Sequence, residues 1–484
     1  MTESVAVAPS VPRERIVRAF STQLICRALG MLASVVSVAM TARYLGPGRY
    51  GQLTIAVVFI GMWTSLVDLG MASVIVRRVT SGRGDLERLV RVNSGLALVY
   101  CVPLAALAVV TGLLIYRDPD VRVMLVMLSA GLLMTSMTTR FDPVFLTTVR
   151  FSAVAISDLA GRLATLIMIA CLVAERADVI WFAVAQLIPP ALQLLIQGSA
   201  AAQHISLRPV FALREAVDLL RESLPLMAFV VIGVVYWRAD GVILSLLSTH
   251  SEVGVYGLAT LITSNTAVVA TLFLRSTLST ATELFSRDVA AFAGFLRRSV
   301  ELMYFVAVPV AVVGALLAGP LIGLFGDKAF VPRGAPTLAL LFFAAALQFV
   351  AATLGQGLFA CGQQRFLMQA GIFELAFNIA LNLLLVKRFG AVGAAVALVC
   401  TELLGVIVSS WWLHRRCGYR TPLMFLLRVL LPTAASVGTA LALSGQHVIV
   451  AVAAAAVTYL TVSMVIGPVK WSTLVAMRGK QVMA

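Results

Sequence analysis

The chain consists of long, nearly uninterrupted apolar stretches, and this property limits its fold more than any other. Each stretch is about 20 residues or longer, which is the length that an α-helix needs to cross a lipid bilayer. Hydrophobic residues fill 60% of the 484 positions and charged residues only 12%. No soluble fold of this length can bury so much apolar surface, so we expect the bilayer to be the solvent.

These stretches predict an all-α polytopic membrane protein with about fourteen transmembrane helices. We expect helices because backbone groups in lipid have no other partner unless strands close into a barrel. The stretches are also too long and too uniformly apolar for barrel strands. The predicted spans are 20–43, 51–74, 90–115, 121–147, 153–174, 178–199, 224–247, 254–280, 297–319, 335–360, 366–386, 391–413, 423–443 and 447–467.

A short sequence pattern occurs twice, each time at the mouth of a predicted helical hairpin. The segment before each copy carries charge where an apolar helix is expected: Arg27 in the first, and Arg238 with Asp240 in the second. The repetition predicts a duplicated bundle, and an even number of spans in each repeat leaves both halves in the same orientation. The two copies are Gly48-Arg49-Tyr50-Gly51-Gln52-Leu53-Thr54 and Gly254-Val255-Tyr256-Gly257-Leu258-Ala259-Thr260.

We therefore expect two pseudo-symmetric six-helix lobes and two additional C-terminal helices. Along the longest connection, Val210, Leu213, Val217, Leu220 and Leu224 recur at helical spacing, which predicts an amphipathic helix over 208–222 on the cytoplasmic surface. The predicted segments are a cytoplasmic tail at 1–19, an N-terminal lobe at 20–199, a linker at 200–223, a C-terminal lobe at 224–415, two further helices at 416–467 and a cytoplasmic tail at 468–484.

The distribution of basic residues predicts that both termini are cytoplasmic. Well over half of the 37 Lys and Arg residues fall on the side of the N-terminus, and such an excess marks the cytoplasmic face. The excess of arginine over lysine is typical of a GC-rich bacterial coding sequence, so we expect a bacterial cytoplasmic membrane. There, the net charge of +15 indicates contact with lipid headgroups rather than nucleic acid.

The sequence lacks the patterns typical of a cofactor, metal or ATP site. Residues 46–51 match the dinucleotide-binding fingerprint, but they join two predicted membrane helices instead of following a strand. A tight turn at the membrane surface is the expected role, with Tyr50 and Tyr256 as interfacial anchors. The four histidines lack metal-ligand spacing, and no Gly-rich loop ends in Lys-Ser or Lys-Thr.

Charged residues within the predicted spans are the candidate functional residues. At mid-helix each costs about 2.5–3.5 kcal/mol, so these residues should line a wet interior or pair with one another. The candidates for binding a substrate are Arg27, Arg238, Arg162, Arg140 and Arg275. The candidates for binding a coupling ion, either a proton or sodium, are Asp68, Asp240, Glu374 and Glu402.

For some of these residues a structural role is an open alternative. Arg140, Asp142 and Arg275 lie near enough to span ends to snorkel, and Asp158 with Arg162 is an i,i+4 pair that can neutralise itself. Arg27 and Arg238, in contrast, have no carboxylate three or four residues away. Because they occupy comparable first helices of the two lobes, we expect both guanidinium groups to reach one cavity from opposite walls.

Several short motifs follow one another along the chain, and their order carries more information than any one of them. The motifs are Ala42-Arg43-Tyr44-Leu45-Gly46-Pro47-Gly48-Arg49-Tyr50-Gly51, Asp68-Leu69-Gly70, Trp237-Arg238-Ala239-Asp240, Val253-Gly254-Val255-Tyr256, Ala360-Cys361-Gly362-Gln363-Gln364-Arg365 and Gly390-Ala391-Val392-Gly393-Ala394-Ala395. In this order they resemble the polysaccharide flippases of the multidrug/oligosaccharidyl-lipid/polysaccharide exporter superfamily. That group contains O-unit flippases and, more distantly, lipid II flippases.

The resemblance implies two six-helix lobes around a central cavity that opens alternately to the cytoplasm and to the outside. It implies a polyprenyl-(pyro)phosphate-linked glycan as substrate and membrane lipids as surroundings. It further implies glycosyltransferases and a polymerase of the same pathway as partners. Arginine in such a cavity would attract a pyrophosphate and acidic sugars. In lipid II flippases the last two helices form a groove for the prenyl tail, which the pair within 423–467 would copy.

Two other functions remain open at this stage. A drug exporter of the same superfamily would favour cations, and Glu374 and Glu402 leave room for it although arginine exceeds acidic residues in the N-terminal lobe. A polytopic glycosyltransferase or glycan polymerase would need acidic catalytic residues in a substantial external loop. The first predicted external connection is only a tight turn, so we expect a transporter rather than an enzyme.

Overall fold

The computed structural model describes residues 13–67, 70–148, 152–443 and 445–465, and these are α-helical almost throughout. No strand occurs in these ranges, so the all-α prediction is confirmed. The helices are α1 (Arg13–Ser65), α2 (Met71–Thr80), α3 (Leu86–Ile115), α4 (Pro119–Thr139), α5 (Asp142–Thr148), α6 (Ser152–Ala174), α7 (Val179–Ala185), α8 (Ile188–Ala202), α9 (Leu213–Leu247), α10 (His250–Ser264), α11 (Ala267–Arg287), α12 (Val289–Leu316), α13 (Ala318–Phe325), α14 (Val331–Ala360), α15 (Gln364–Cys417), α16 (Leu423–Ala442) and α17 (Val448–Val465), with a short 3-10 helix at Lys328–Phe330.

Ten helical segments of the described ranges are long and apolar enough to cross a membrane, as expected for a multi-pass membrane protein. Two of them, Ile25–Ser65 and Gln364–Cys417, each contain two predicted spans. The predicted spans at 224–247 and 254–280 are not among the ten, and both carry charged or hydroxyl side chains. The number of about fourteen therefore stays a prediction.

The two longest helices bend where the sequence predicts the ends of spans. In α1 the helix is interrupted at Gly46, whose φ of 66° lies in the left-handed region, and Pro47 follows directly. In α15 the interruption is Gly390, with φ 56°. Glycine adopts this conformation without the steric cost that a Cβ atom brings. Each helix therefore contains two segments that the sequence predicts as separate spans.

By packing, the chain divides into two compact units. Unit 1 comprises Met1–Tyr44 and Ala56–Val235, and unit 2 comprises Leu45–Ile55 and Tyr236–Ala484. The segment Leu45–Ile55 thus packs with unit 2 although both of its neighbours in the chain belong to unit 1. The division falls between Val235 and Tyr236, whereas the sequence predicts that the C-terminal lobe begins at residue 224; both positions lie within α9. The predicted segment bounds stay a prediction.

The two copies of the duplicated pattern contact each other within unit 2. A Cβ atom added to Gly51 would stand 1.7 Å from the carbonyl oxygen of His250, and one added to Gly254 would stand 2.3 Å from that of Pro47. Distances this short are possible only between backbones that carry no side chain at the contact. The glycines of the pattern therefore set the approach of Leu45–Ile55 to α10.

The tyrosines of the pattern are buried, so the prediction that they are interfacial anchors is wrong. Tyr50 is 8% exposed and packs edge-on against Phe330, with ring centroids 6.0 Å apart. Tyr256 is 6% exposed, and its hydroxyl donates to a carboxylate described below. A tyrosine near a span end resembles an interfacial anchor in sequence, but here the close glycine contact carries it into the packed interior.

The segment predicted as an amphipathic surface helix differs from the prediction in two respects. Residues 206–212 are not helical, and the helix begins at Leu213 and continues into the next predicted span as α9. The buried positions are Ala216, Leu219 and Ser223, whereas Leu213 is 79% exposed. The buried face is therefore displaced by about one residue from the apolar stripe of the sequence.

Ion pairs with arginines at the end of α2 and the start of α3 explain this displacement. Glu222 accepts from Arg77 and Arg78, the second at 2.7 Å, and Glu215 accepts from Arg88 at 2.8 Å. The hydrogen bonds from Arg78 and then Arg77 lower the pKa of Glu222, and that from Arg88 lowers the pKa of Glu215. These contacts orient the start of α9 so that Leu219 packs with Val74, Ile75, Leu89 and Val90.

We expect substitution of Gly254 by alanine to destabilise the protein by about 1–3 kcal/mol, the usual cost of overpacking a close contact. The added Cβ would meet the Pro47 carbonyl oxygen, and backbone cannot move aside as a side chain can. Thermal unfolding in detergent measures the effect. Gly294→Ala is the matched control because no atom lies within 4 Å of its Cβ position. Equal melting temperatures of the two variants would contradict the close contact.

We expect Leu219→Ala to cost about 2–5 kcal/mol, the range for truncation of a buried leucine. Leu213→Ala, six residues earlier on the same helix and 79% exposed, should stay within about 0.5 kcal/mol of the parent. Unfolding monitored by intrinsic fluorescence compares the two. If Leu213→Ala were the more damaging change, the stripe read from the sequence would be the buried one after all.

Candidate functional site

Arg27 and Arg238 are exposed and have no carboxylate partner among the described residues. Arg27 lies in the part of α1 that belongs to unit 1, and Arg238 lies in the part of α9 that belongs to unit 2. Neither forms an ion pair or a hydrogen bond within the described ranges. Their convergence on one cavity stays a prediction. The absence of an ion pair in the described ranges agrees with the spacing of charges in the sequence.

Arg162 belongs to α6, and its side chain contacts the face of α1 that carries Arg27. Its guanidinium donates to Asp158 at 2.9 Å and to the hydroxyl of Ser34 at 2.5 Å. Its aliphatic chain crosses α1 at Gly30, where an added Cβ would stand 2.9 Å from Arg162 Cδ. Arg27, Gly30 and Ser34 are three and seven residues apart, so they share one helix face. The self-neutralising pair is therefore present, and the side chain of Arg162 is still 39% exposed.

Arg140 lies in the interior of unit 1 and has a different role. It is 1% exposed and stands at the end of α4. Its guanidinium donates to Asn93 Oδ1 at 3.0 Å, to the carbonyl of Val67 at 2.9 Å and to the Tyr100 hydroxyl at 2.5 Å. A buried guanidinium whose donors are satisfied by the protein has none left for a ligand. This placement favours a structural role, and binding of a substrate by Arg140 stays a prediction.

Of the other predicted residues, the structure describes Arg275 in part and does not describe Asp68. The backbone of Arg275 belongs to α11, while its side chain lies outside what the structure describes. Asp68 lies outside the described residues altogether. Both stay predictions.

Asp240 is a buried carboxylate whose partners are neutral. It is 7% exposed and accepts from Asn382 Nδ2 at 2.8 Å and from the Tyr256 hydroxyl at 3.2 Å. Asn382 also donates to the side-chain oxygen of Asn378 at 3.1 Å, and its own Oδ1 is buried without a partner. Neither asparagine is among the site residues predicted from the sequence. Their spacing of four residues within an apolar span was the available signal.

Glu402 and Glu374 lie on the two halves of α15, which fold back on each other beyond Gly390. Glu402 is 5% exposed and accepts from the Tyr236 hydroxyl and from Gln348 Nε2, both at 3.0 Å. Glu374 packs over Gly405, where an added Cβ would stand 3.0 Å from its Oε1. Tyr236 precedes Asp240 by four residues on α9. We call Asp240, Glu374 and Glu402 the acidic layer of unit 2.

The acidic layer has no basic partner within the described part of the chain. No Arg, Lys or His forms an ion pair with any of its three members there. Asp240 and Glu402 are buried and Glu374 is partly buried. A carboxylate removed from water without a counter-charge is costly unless it holds a proton or is balanced by a cation. In the same ranges, no group of three or more His, Cys, Asp or Glu is arranged to hold a metal ion. The layer stays the predicted site for a proton or a monovalent cation.

Comparisons with known proteins agree on the fold. The lipid II flippase MurJ in an inward closed conformation matches with a TM-score of 0.76 at 15% identity, covering 93% of this chain and 98% of that chain. An inward-facing multidrug resistance MATE transporter matches with a TM-score of 0.64 at 14% identity, covering 82% and 98%. A superfamily transporter from Pyrococcus furiosus, described by the reverse polarity of its binding pocket, matches with a TM-score of 0.56 at 14% identity, covering 84% and 96%.

At 14–15% identity, the likeness to these structures shows a common fold and nothing more. The family is shown by the sequence comparison instead. No curated protein is a significant sequence match. A family model described as polysaccharide biosynthesis protein matches residues 40–329, more than half of the chain. The chain therefore belongs to the polysaccharide biosynthesis protein family and has the fold of flippases and transporters of the multidrug/oligosaccharidyl-lipid/polysaccharide exporter superfamily.

Proposed function

We propose that the protein flips a polyprenyl-(pyro)phosphate-linked oligosaccharide across the cytoplasmic membrane by alternating access, for the synthesis of a surface polysaccharide. The observation that carries this proposal is the pair Arg27 and Arg238, exposed guanidiniums in membrane helices without a carboxylate partner in the described residues. An unpaired charge at this depth is costly, and binding of an anionic ligand would offset that cost. The family and the fold shared with a lipid II flippase support the same substrate class.

The chemistry of arginine fits a phosphate-linked substrate better than that of lysine. A guanidinium offers parallel N–H donors that match two oxygens of a phosphate, and it keeps its charge when partly desolvated. In unit 1, Arg162 presents an exposed part of its side chain on the face of α1 that carries Arg27. Its ion pair with Asp158 leaves it a weaker candidate than Arg27. We assign Arg27 and Arg238 as the primary ligands and Arg162 as a supporting residue.

We propose that the acidic layer couples transport to a proton or to a monovalent cation. Asp240 is the first candidate, because it is buried among neutral donors and an unpartnered amide oxygen of Asn382 lies beside it. Binding of a cation would use the Asp240 carboxylate and the asparagine oxygens together. Release would leave a buried charge, which favours a rearrangement of the surrounding helices. Glu374 and Glu402 are the second candidates.

A drug exporter is the second candidate function, and the same acidic layer is the observation that favours it. Three carboxylates without basic partners in the described residues would attract an organic cation as well as an inorganic one. The fold shared with MATE transporters is compatible with this function. An enzyme is less well supported, because connections predicted to be external, such as residues 116–118 and 175–178, are too short for an active-site loop.

We expect Arg27→Ala and Arg238→Ala each to reduce export of the glycan by about tenfold or more, since each removes a charge-assisted bidentate contact. Lysine at either position should restore part of the activity, because the charge survives and the planar fork does not. Accumulation of lipid-linked intermediate in cells that lack the native gene, complemented with each variant, measures export.

The control for these variants is Arg287→Ala at the end of α11, where arginine pairs with Glu283 at 2.8 Å. It should export at the parental rate at equal membrane abundance. Export at the parental rate by the Arg27 and Arg238 variants would refute the anion site. Efflux of a cationic dye by the purified parent protein in proteoliposomes would favour the drug exporter. Loss of folded protein from both variants would assign the two arginines to the packing of the helices instead.

We expect Asp240→Asn to fold normally and to lose dependence on the coupling ion. Asparagine retains an acceptor for Asn382 Nδ2, whose distance to Asp240 is 2.8 Å, while it removes the group that binds a proton or cation. Transport by proteoliposomes under imposed proton and sodium gradients gives the measurement. The exposed Glu283→Gln is the control. A variant that responds to both gradients like the parent would exclude Asp240 as the coupling site.

A further inference from the structure

The corner between α15 and α16 carries an unusual concentration of positive charge. Four arginines are exposed within residues 411–428: Arg415 and Arg416 at the end of α15, Arg420 in the connection and Arg428 in the second turn of α16. The sequence predicts that this end of unit 2 faces the cytoplasm. We call residues 411–428 the basic corner.

Within the described residues, no carboxylate forms an ion pair with these four arginines. Beyond Glu402 the sequence contains neither Asp nor Glu, and none of the four arginines forms an ion pair within the described residues. Two other exposed arginines of unit 2 do have acidic partners: Arg287 pairs with Glu283 at 2.8 Å and Arg297 with Glu301 at 3.1 Å. The basic corner is therefore available to an anion from outside the chain, whereas those arginines are already neutralised.

The backbone of the basic corner is held in place by buried contacts. Helix α15 ends at Gly418, whose φ of 68° turns the chain, and the His414 ring nitrogen Nδ1 lies 2.9 Å from the carbonyl oxygen of Tyr419. Tyr419 is 1% exposed. Its burial fixes the position of the neighbouring Arg420. Positively charged side chains at a helix C-terminus are also favoured by the helix dipole.

Aromatic and apolar side chains place the arginines at the level of lipid headgroups. The guanidinium carbon of Arg415 lies 4.1 Å above the ring of Trp411, which is 47% exposed. On α16, Leu423, Met424 and Leu427 are each more than 60% exposed. Tryptophan is enriched at membrane interfaces, and exposed apolar side chains favour contact with acyl chains. The corner thus combines a site for an anionic group with a surface for two or more hydrocarbon chains.

We propose that the basic corner binds the headgroup of an anionic phospholipid of the surrounding leaflet, with its acyl chains lying along the first turns of α16. Phosphodiester oxygens satisfy guanidinium donors, and the exposed apolar face contributes what a free phosphate lacks. Zwitterionic lipids carry their own ammonium group and gain less from four unpaired arginines. This site is separate from Arg27 and Arg238 and does not depend on the transported substrate.

Native mass spectrometry of the full chain in detergent, titrated with cardiolipin and separately with phosphatidylcholine, tests the proposal. The variant is the pair Arg415→Gln and Arg420→Gln, and the control pair is Arg287→Gln and Arg297→Gln, which removes the same charge. Each basic residue near a lipid surface contributes about 1 kcal/mol, which corresponds to about fivefold in affinity. We expect the variant to bind cardiolipin at least about fivefold more weakly, the control to change less than about twofold, and phosphatidylcholine binding to be unaffected.

Equal weakening in both pairs would overturn the proposal, because net charge alone would then explain binding. Displacement of cardiolipin by millimolar inorganic pyrophosphate would also overturn it, since the site would then hold a free anion rather than a phospholipid. If the first pair fails to elute as a single folded species, Arg416→Gln with Arg428→Gln provides an independent test with the same expected loss.

Discussion

Every polar group that enters the lipid phase must find a partner within the protein, and most of the interior follows from this constraint. The chain meets it in different ways. Arg140 is surrounded by uncharged acceptors, Asp158 and Arg162 neutralise each other one turn apart, and Asp240 and Glu402 accept from asparagine, tyrosine and glutamine. For Arg27 and Arg238 the described structure supplies no such partner. Their exposure is informative because Arg140 and Arg162 are satisfied within the protein.

The two units solve this problem with opposite charges. In unit 1 the buried or half-buried groups that carry charge include arginines, and carbonyls, amides and hydroxyls satisfy them. In unit 2 the corresponding groups are carboxylates without basic partners in the described residues. A fold built from two related repeats would carry like residues at like positions if both repeats did the same work. The difference in charge between the units is compatible with the two tasks proposed above, anion contact in unit 1 and ion coupling in unit 2. Arg238 is an exception, because it is a proposed anion ligand that belongs to unit 2.

The sequence predicts the fold well where a single physical signal dominates. Long apolar stretches predict the helices, and Gly46 and Gly390 interrupt α1 and α15 close to the predicted span ends. The prediction fails where tertiary contacts override a local pattern. The stripe through Leu213 and Val217 was plausible, but ion pairs at Glu215 and Glu222 present Ala216 and Leu219 to the interior instead. The asparagines beside Asp240 were not predicted, because an amide in an apolar span is uncharged and the prediction relied on charged residues. The buried environment of Arg140 could not be predicted either, because its hydrogen-bond partners include residues distant in the sequence.

The contact between Gly51 and Gly254 gives a reason why both copies of the duplicated pattern are still recognisable. Repeats inside a chain usually become different, since each copy accumulates substitutions independently of the other. Here each copy is the surface against which the other packs, and the separation of the two backbones leaves no space for a Cβ atom on either side. A larger residue in one copy has no compensating change in the other, because glycine is already the smallest residue. The similarity of the two segments therefore agrees with a present contact as well as with the predicted duplication.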